Sequence, residues 1–400
     1  MHAVPPATRT LKRANLANAR FISQTMVRGV IKSYIFPFFN RLLHLLFIAC
    51  FALAFLLAST QKGFVSHAVL GVLFGALVVF RLVWGFVGTR FSRFADFHFS
   101  GVWGYLRSVF SGKKPFTAHN PASSWAVVLI FALGILSTLS GLLLWGQSEQ
   151  KGLFSALYFA YSPNLSSLHE FFVNALLLVA CVHICGALID KFISKNDSLN
   201  AIITGYKRTA QDESVRLNAA QKAFCALALC ALALLCVLLQ TPANSLLHAS
   251  TPPAFSTQKP YALYKKECGS CHIAYAPYLL PQKAWANLMG DLQNHFGDDA
   301  SLDEPEFTDI SSFLNANASE RYKTQFKANL ASENIGEIAI SKYKFYQKAH
   351  ENLPQNLFKS PQIKSKANCN ACHENGELGF FGKSDIDFDK ISTARKALQK

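Results

Sequence analysis

The sequence predicts an all-α protein in two parts. One is a membrane four-helix bundle; the other is a small, mainly helical C-terminal domain, joined to the bundle through a fifth transmembrane helix. Three observations predict this. Apolar residues concentrate in the first 240 of 400 positions, in five spans at about 36–59, 64–87, 124–146, 168–190 and 223–240, each close to the ~20 residues that cross a ~30 Å hydrocarbon core. Four histidines, His44, His67, His169 and His183, lie inside those spans at two depths. The polar remainder carries Cys-x-x-Cys-His twice, at 268–272 and 369–373.

Charge fixes the expected topology. Residues 1–240 hold 21 Lys/Arg against 7 Asp/Glu, a net +14, and residues 241–400 hold 18 against 17, a net +1, which together give the overall +15. A basic total can mark a nucleic-acid binder. Here the excess lies in the connections between apolar spans, so no nucleic-acid partner is expected and the lipid bilayer is. Seven Lys/Arg lie in residues 1–41, six from Arg81 to Lys114 and six from Lys191 to Lys222, whereas the opposite connections hold only Lys62 and Lys151. Nineteen against two places the N-terminus in the cytoplasm and, after five spans, the C-terminal domain outside. The expectation is a multi-pass protein of a bacterial inner (cytoplasmic) membrane with a periplasmic domain.

Residues 1–35 read as a basic cytoplasmic segment, too long for the charged region of a signal peptide, so the first span is expected to be an uncleaved anchor. An acid-free, Arg-containing leader also matches a mitochondrial transit peptide. Leu16, Phe21, Ile22, Met26 and Val30 give the segment an apolar side suited to the inner leaflet. The first span carries His44 near its inner end. The second follows almost at once, carries His67 near its outer end, and leaves through Arg81-Leu-Val-Trp84-Gly85. A cytoplasmic loop of about 35 residues leads to His119-Asn-Pro121. The third span has no histidine, but Gly134 and Gly141 share one face, which suits close helix packing. An outer loop with Tyr158, Tyr161 and Pro163 precedes the fourth span, and residues 200–208 read as a short surface helix. The fifth transmembrane helix is expected within 211–240, a stiff proline-containing linker within 241–260, and the terminal domain within 261–400. Inside that domain, Gln282–His295 reads as a helix.

The fourth span carries two histidines fourteen positions apart. At 100° per residue they end about 40° apart on one face, and ~21 Å apart along the axis. Histidine within a membrane span is costly and usually functional, and neutral imidazole is a natural metal ligand. A lone histidine near a helix end is ordinarily an interfacial side chain. Four that match by depth are better explained as two bis-histidine pairs, each holding one haem b between helices. Span directions select His44 with His183 at the inner level and His67 with His169 at the outer.

These residues resemble a known family. Arg41-x-x-His44, Arg81-x-x-Trp84-Gly85, His119-Asn-Pro121, His169-Glu170 with His183, and Thr204-Gly205-Tyr-Lys207 are similar to motifs of bacterial cytochrome b561, including the membrane cytochrome b of Ni/Fe hydrogenases. The resemblance covers about residues 37–210. It implies a four-helix bundle (36–210) with two b haems exchanging electrons with quinone. Leu45 departs from the tryptophan usual after the first ligand, and Ala122-Ser-Ser from the glycine usual after His-Asn-Pro. Arg41, Arg81 and Lys207 lie near the predicted inner face, where anionic haem propionates need cations. Glu170, beside His169, is a candidate proton acceptor or ligand partner at the outer face.

Six of the ten cysteines lie in the spans, where cysteine behaves as a small hydrophobe. The other four form Cys268-Gly-Ser-Cys271-His272 and Cys369-Asn-Ala-Cys372-His373, the c-type haem attachment pattern. Two thiols add across the haem vinyl groups, and the following histidine reaches the iron. Zinc held by two Cys-x-x-Cys pairs and two disulfides are the competing readings, and neither explains a histidine after each pair. Sixth-ligand candidates are His295, His350, His248 and Met289. Residues 261–385 resemble the dihaem cytochrome c family through both motifs, Leu280-Pro281, Trp285 and the His295-to-Ser301 segment. That resemblance implies two covalently bound c haems, both bis-histidine, with His295 and His350 at the matching positions. It does not assign either to a particular haem.

The expected function is transmembrane electron transfer through two haem b and two haem c, with quinol oxidised and a periplasmic electron-transfer protein reduced. The reverse flow, from a periplasmic dehydrogenase or hydrogenase to quinone, uses the same residues. A metal-binding or metal-transport membrane protein with Cys-x-x-Cys zinc sites is the alternative of another class; stoichiometric zinc without haem would distinguish it.

Overall fold

The computed structural model describes residues 31–60, 63–109, 119–241, 244–325, 330 and 334–398. The basic leader up to residue 30, Lys62, the loop stretch 110–118 and Pro242 lie outside the described residues, and so do the expectations placed on them. Among the described residues, five helices are long and apolar enough to cross a membrane: α1 (Phe38–Leu57), α2 (Phe64–Val87), α4 (Pro121–Glu149), α5 (Asn164–Phe192) and α7 (Ala219–Leu239). Shorter helices are α3 (Val102–Val109), α6 (Ser198–Thr204), α8 (Lys259–Cys268), α9 (Gln282–Met289), α10 (Glu304–Ala316), α11 (Lys344–Ala349) and α12 (Phe388–Ala397). The fold is all-helical in character, as expected.

The chain divides into two compact units: Met1–Ile48, Ala76–Leu133 and Ala175–Ala231 form one, and Ala49–Gly75, Gly134–Asn174 and Leu232–Lys400 form the other. The division falls within each of the five long helices. It leaves His44 and His183 in the first unit, and His67, His169 and the C-terminal domain in the second.

In the first unit, Trp84 is fully buried. Its Nε1 donates to Asn40 Oδ1 at 2.7 Å, and its ring stacks on Phe224 at 5.6 Å. One residue on, a side chain at Gly85 would overlap the Phe94 ring, so the Trp-Gly pair serves packing. The expected surface helix over 200–208 differs from what is observed. Helix α6 stops at Thr204, and β2 (Tyr206–Thr209) pairs antiparallel with β1 (Ile31–Tyr34), Tyr34 opposite Tyr206. The cause is Gly205, which has φ +89°. A left-handed residue ends the helix and turns the chain back, and Gly205 O accepts from Ile35 N and Phe36 N. A Cβ there would come 2.6 Å from the Tyr34 ring.

In the second unit, the C-terminal domain has an aromatic core that includes Tyr264, Tyr278, Trp285 and Phe313. Two segments outside residues 261–400 belong to it. Phe255, in the expected linker, is fully buried there, and Tyr158, from the α4–α5 connection, is 2% exposed. Tyr158 Oη donates to Gly379 O at 3.2 Å. Tyr161 N donates to Lys323 O, and Gly152 N to Ala249 O. The described part of the linker is therefore packed. A smaller cluster of Leu357, Phe358, Ile363, Ala371 and Ala394 forms a second lobe. The expected helix Gln282–His295 is broken: α9 ends at Met289, a short 3-10 turn covers Leu292–Asn294, and His295 follows in a loop. Apolar periodicity ran on past Gly290, where the regular hydrogen bonding stops.

Candidate haem sites

Three pairs of histidines face one another. His67 and His169 have ring centres 6.3 Å apart. His272 and His295 lie 6.1 Å apart, and His350 and His373 lie 6.4 Å apart. His44 and His183 are close enough to interact electrostatically. Two imidazoles sharing one metal, with bonds of about 2 Å and about 1.2 Å from each nitrogen to its ring centre, should show roughly 6.4 Å between centres. The three measured separations fit a bis-imidazole haem iron.

The outer membrane pair is held through the nitrogens that a ligand does not need. His67 Nδ1 donates to Ala54 O at 2.8 Å. His169 Nδ1 donates to Ser140 Oγ at 3.1 Å, and that hydroxyl in turn donates to Ser137 O. Such outer contacts fix tautomer and ring orientation, leaving each Nε2 lone pair free for a metal. Gly141 faces the same ring: a Cβ would lie 3.1 Å from His169 Cε1. The expectation that Gly141 serves close helix packing is thus narrowed to clearance for a histidine. Glu170 is exposed.

In the first unit, Arg41 Nη1 donates to Ile203 O at 2.9 Å. Arg41 Nε and Arg81 Nη1 are buried without a hydrogen-bond partner. Buried guanidinium N–H groups lacking acceptors are where an anionic group would be accommodated. Lys207 is buried on β2, and its Nζ donates to Ser198 Oγ at 3.1 Å. His119 donates from Nε2 to Phe91 O at 2.8 Å, and burial pushes its pKa down to about 4.

In the C-terminal domain, Cys268 closes α8, with Cys271 and His272 in the turn that follows. His295 is placed by a tight turn in which His295 N donates to Asp298 O at 2.8 Å, while Phe296 and Gly297 take φ of +56° and +100°. Met289 is buried in the core. At the second motif, Cys369, Cys372, His350 and His373 line one cavity of about 1070 Å³, large enough for a cofactor-sized ligand. Lys344, Lys348, Lys366, Lys383, Arg395 and Lys396 also line it, a basic surround suited to propionates. His350 Nδ1 donates to Tyr346 O at 2.8 Å, whereas His373 Nδ1 is buried and unpartnered. Burial lowers the His373 pKa to about 4, which keeps the ring neutral and able to ligate. Burial also raises the Cys268 and Cys369 thiols to about 11. All ten cysteines are free. Among the described residues, no group of three or more His, Cys, Asp and Glu could hold a metal ion, so the two Cys-x-x-Cys pairs do not converge on a zinc site. The donor set fits haem.

Ala54, Ser140 and Gly141, which frame the outer histidines, carry no motif; only the depth of His169 relative to α4 could have pointed to them. Tyr275 likewise carries no sequence signal. Its ring lies 5.1 Å from that of His272, and its hydroxyl donates to Ala367 O near the second site.

The family model "Prokaryotic cytochrome b561" matches residues 35–205, and "Dihaem cytochrome c" matches residues 264–381. The chain is 22% identical over 160 residues to the probable Ni/Fe-hydrogenase 1 B-type cytochrome subunit of Escherichia coli K12, covering 35% of this chain and 68% of that protein. It is 25% identical over 170 residues to the probable Ni/Fe-hydrogenase B-type cytochrome subunit of Rhodobacter capsulatus, covering 38% and 64%. Among solved structures, a dihaem cytochrome c of Shewanella baltica is 30% identical, covering 33% of this chain and 95% of that one, with a TM-score of 0.27. The dihaem cytochrome c of Rhodobacter sphaeroides is 36% identical, covering 30% and 95%, with a TM-score of 0.28. The chain is thus a multi-pass membrane cytochrome, with a prokaryotic cytochrome b561 domain that binds b haems joined to a dihaem cytochrome c domain that binds two c haems.

Proposed function

We propose that the chain carries single electrons across the bacterial inner membrane, from a quinol to a periplasmic electron-transfer protein, through two b-type and two c-type haems. The three histidine separations of 6.1 to 6.4 Å carry this reading, because each matches one iron between two rings. His44 with His183 and His67 with His169 would hold the haems in the membrane; His272 with His295 and His373 with His350 would hold those outside. Cys268, Cys271, Cys369 and Cys372 form the thioether bonds. When bound, haem supplies a reversible one-electron ferric–ferrous couple.

The chain's residues supply the rest. Paired imidazoles would both be taken up in holding a haem, which suits the sites to electron transfer and not to binding a substrate at iron. The orphaned N–H groups of Arg41 and Arg81 suit them to neutralise propionates at the inner level. Lys207 is the third cation proposed there. Oxidising one quinol releases two electrons, passed singly, and two protons. Glu170 is the carboxylate proposed to accept a proton at the outer face.

A haem inventory tests the proposal: pyridine haemochrome spectra should show b and c haem at two each. Covalent haem staining should vanish when Cys268→Ala and Cys369→Ala are combined. One b haem, or stoichiometric zinc, would sink it. The hydrogenase B-type subunits among the relatives favour a second reading in which electrons enter from a periplasmic enzyme and reduce quinone. Midpoint potentials separate the two, since c haems far below the quinone couple would reverse the proposed flow.

A further inference from the structure

The two c-type sites stand in different relations to the outer membrane histidines, and contacts within the second unit distinguish them. Three residues before His67 on α2 is Phe64, whose ring stacks on Trp145 of α4 at 5.5 Å and 25°. Lys383 Nζ lies 5.1 Å over the same Phe64 ring. Lys383 belongs to the strap 379–387, which follows the second Cys-x-x-Cys-His motif.

The strap is fastened at both ends. Toward the membrane helices, Glu149 at the end of α4 accepts from Ser384 N at 2.7 Å, and Lys151 Nζ lies 3.9 Å from the Asp385 carboxylate. A side chain at Gly382 would overlap Glu149. Toward the second c-type site, the Phe381 ring lies 5.1 Å from that of His373. Asp387 N donates to Cys372 O at 2.8 Å, and Glu374 N to Asp385 O. Asp385 also accepts from Asn375 N and Nδ2. Glu149 and Asp385 are each only 3% exposed. Burying charged groups is costly without partners, so their use here points to a strap that must keep one position.

The first c-type site connects differently. Tyr275 lies beside His272 and lines the cavity that contains Cys369 and His373, so it stands between the two c-type sites. On the far side, Cys271 is exposed, and Phe296, next to His295, is 63% exposed.

We infer that the second c-type site exchanges electrons with the outer b-type site, across the Phe64–Trp145 stack and the 379–387 strap, and that Tyr275 links it to the first c-type site, which meets the soluble partner. In each step one iron loses one electron and the next gains it. Both keep their two imidazoles, so no bond forms or breaks and no proton must move. Electron exchange between haems falls steeply with separation, so the site joined by packed side chains takes precedence over one reached through it.

This inference rests on the proposed function, and an equilibrium measurement tests it independently of turnover. In the oxidised, full-length protein, low-spin ferric haems speed one another's electron-spin relaxation when close. The outer b-haem signal is identified by its loss in His169→Ala. Its relaxation should slow several-fold in Cys369→Ala/Cys372→Ala and stay unchanged in Cys268→Ala/Cys271→Ala. Should loss of the covalent haem prevent folding, His350→Gly and His295→Gly keep it attached while converting it to the faster-relaxing high-spin state. Only His350→Gly should then accelerate the outer b signal. An effect that follows the first site, or both equally, overturns the inference. Haemochrome spectra of the same samples separate the two failures. A full inventory with the wrong partner sinks the order of the relay alone, whereas missing b haem sinks the proposed function with it.

Discussion

At the scale of single residues, the outer membrane pair depends on side chains with no chemistry of their own. Ser140 accepts from His169 Nδ1, and Gly141 leaves room for the ring. Partners of this kind typically change metal affinity 10- to 100-fold. Ser140→Ala is therefore expected to weaken retention of the outer b haem by about 10-fold or more, read as a fall in the b-to-c haem ratio after mild detergent washing. Gly141→Val should remove that haem altogether while leaving both c haems, because the added methyl groups enter the space of the imidazole. In the C-terminal domain, the proposed bis-histidine ligation would hold potentials lower than histidine–methionine. His295→Met and His350→Met should each raise one c-haem midpoint, by a sizeable part of the ~0.8 V that axial-ligand choice spans. Potentiometric titration checks this. Two midpoints moving together in either variant would contradict separate pairs.

At the scale of elements, periodicity located the long helices and misjudged the short ones. The apolar pattern of 282–295 suggested one helix, yet α9 stops at Met289 and His295 sits in a left-handed turn. Residues 206–209 pair as a strand because Gly205 reverses the chain. Gly205→Ala must place a Cβ in a left-handed conformation, at about 1–2 kcal/mol, and against Tyr34. It should lower thermal stability and open residues 204–209 to proteolysis; an unchanged cleavage pattern would count against the turn. The proline-containing stretch before residue 260 was expected to act as a spacer, but Phe255 is fully buried in the aromatic core. Phe255→Ala should cost about 3–5 kcal/mol, seen as a lower midpoint of thermal unfolding. A freely moving linker would make it neutral.

At the scale of the molecule, charge predicts the topology. Nineteen Lys/Arg against two predict that a phosphatase reporter fused after Leu398 is active, and that the same reporter in the 88–101 loop is inactive; the opposite pattern would invert the relay. Much of the cytochrome was legible without coordinates. Span length is set by bilayer thickness, and covalent haem attachment needs its cysteines and histidine at fixed local spacing. The four membrane histidines stood out because a polar ring in lipid is expensive. Other features depend on chain segments far apart in sequence. Their adjacency is created by packing and leaves no local pattern: His295 beside His272, His350 beside His373, the α4–α5 connection inside the core of the C-terminal domain, and the strap of 379–387 against Glu149. The sequence alone determined which redox centres to expect, and it picked out Cys268, Cys271, Cys369 and Cys372 as the residues proposed to hold the covalent ones. Only the tertiary structure brought His295 beside His272, His350 beside His373 and the strap of 379–387 against Glu149, because contact between distant segments follows from how the whole chain buries its apolar surface.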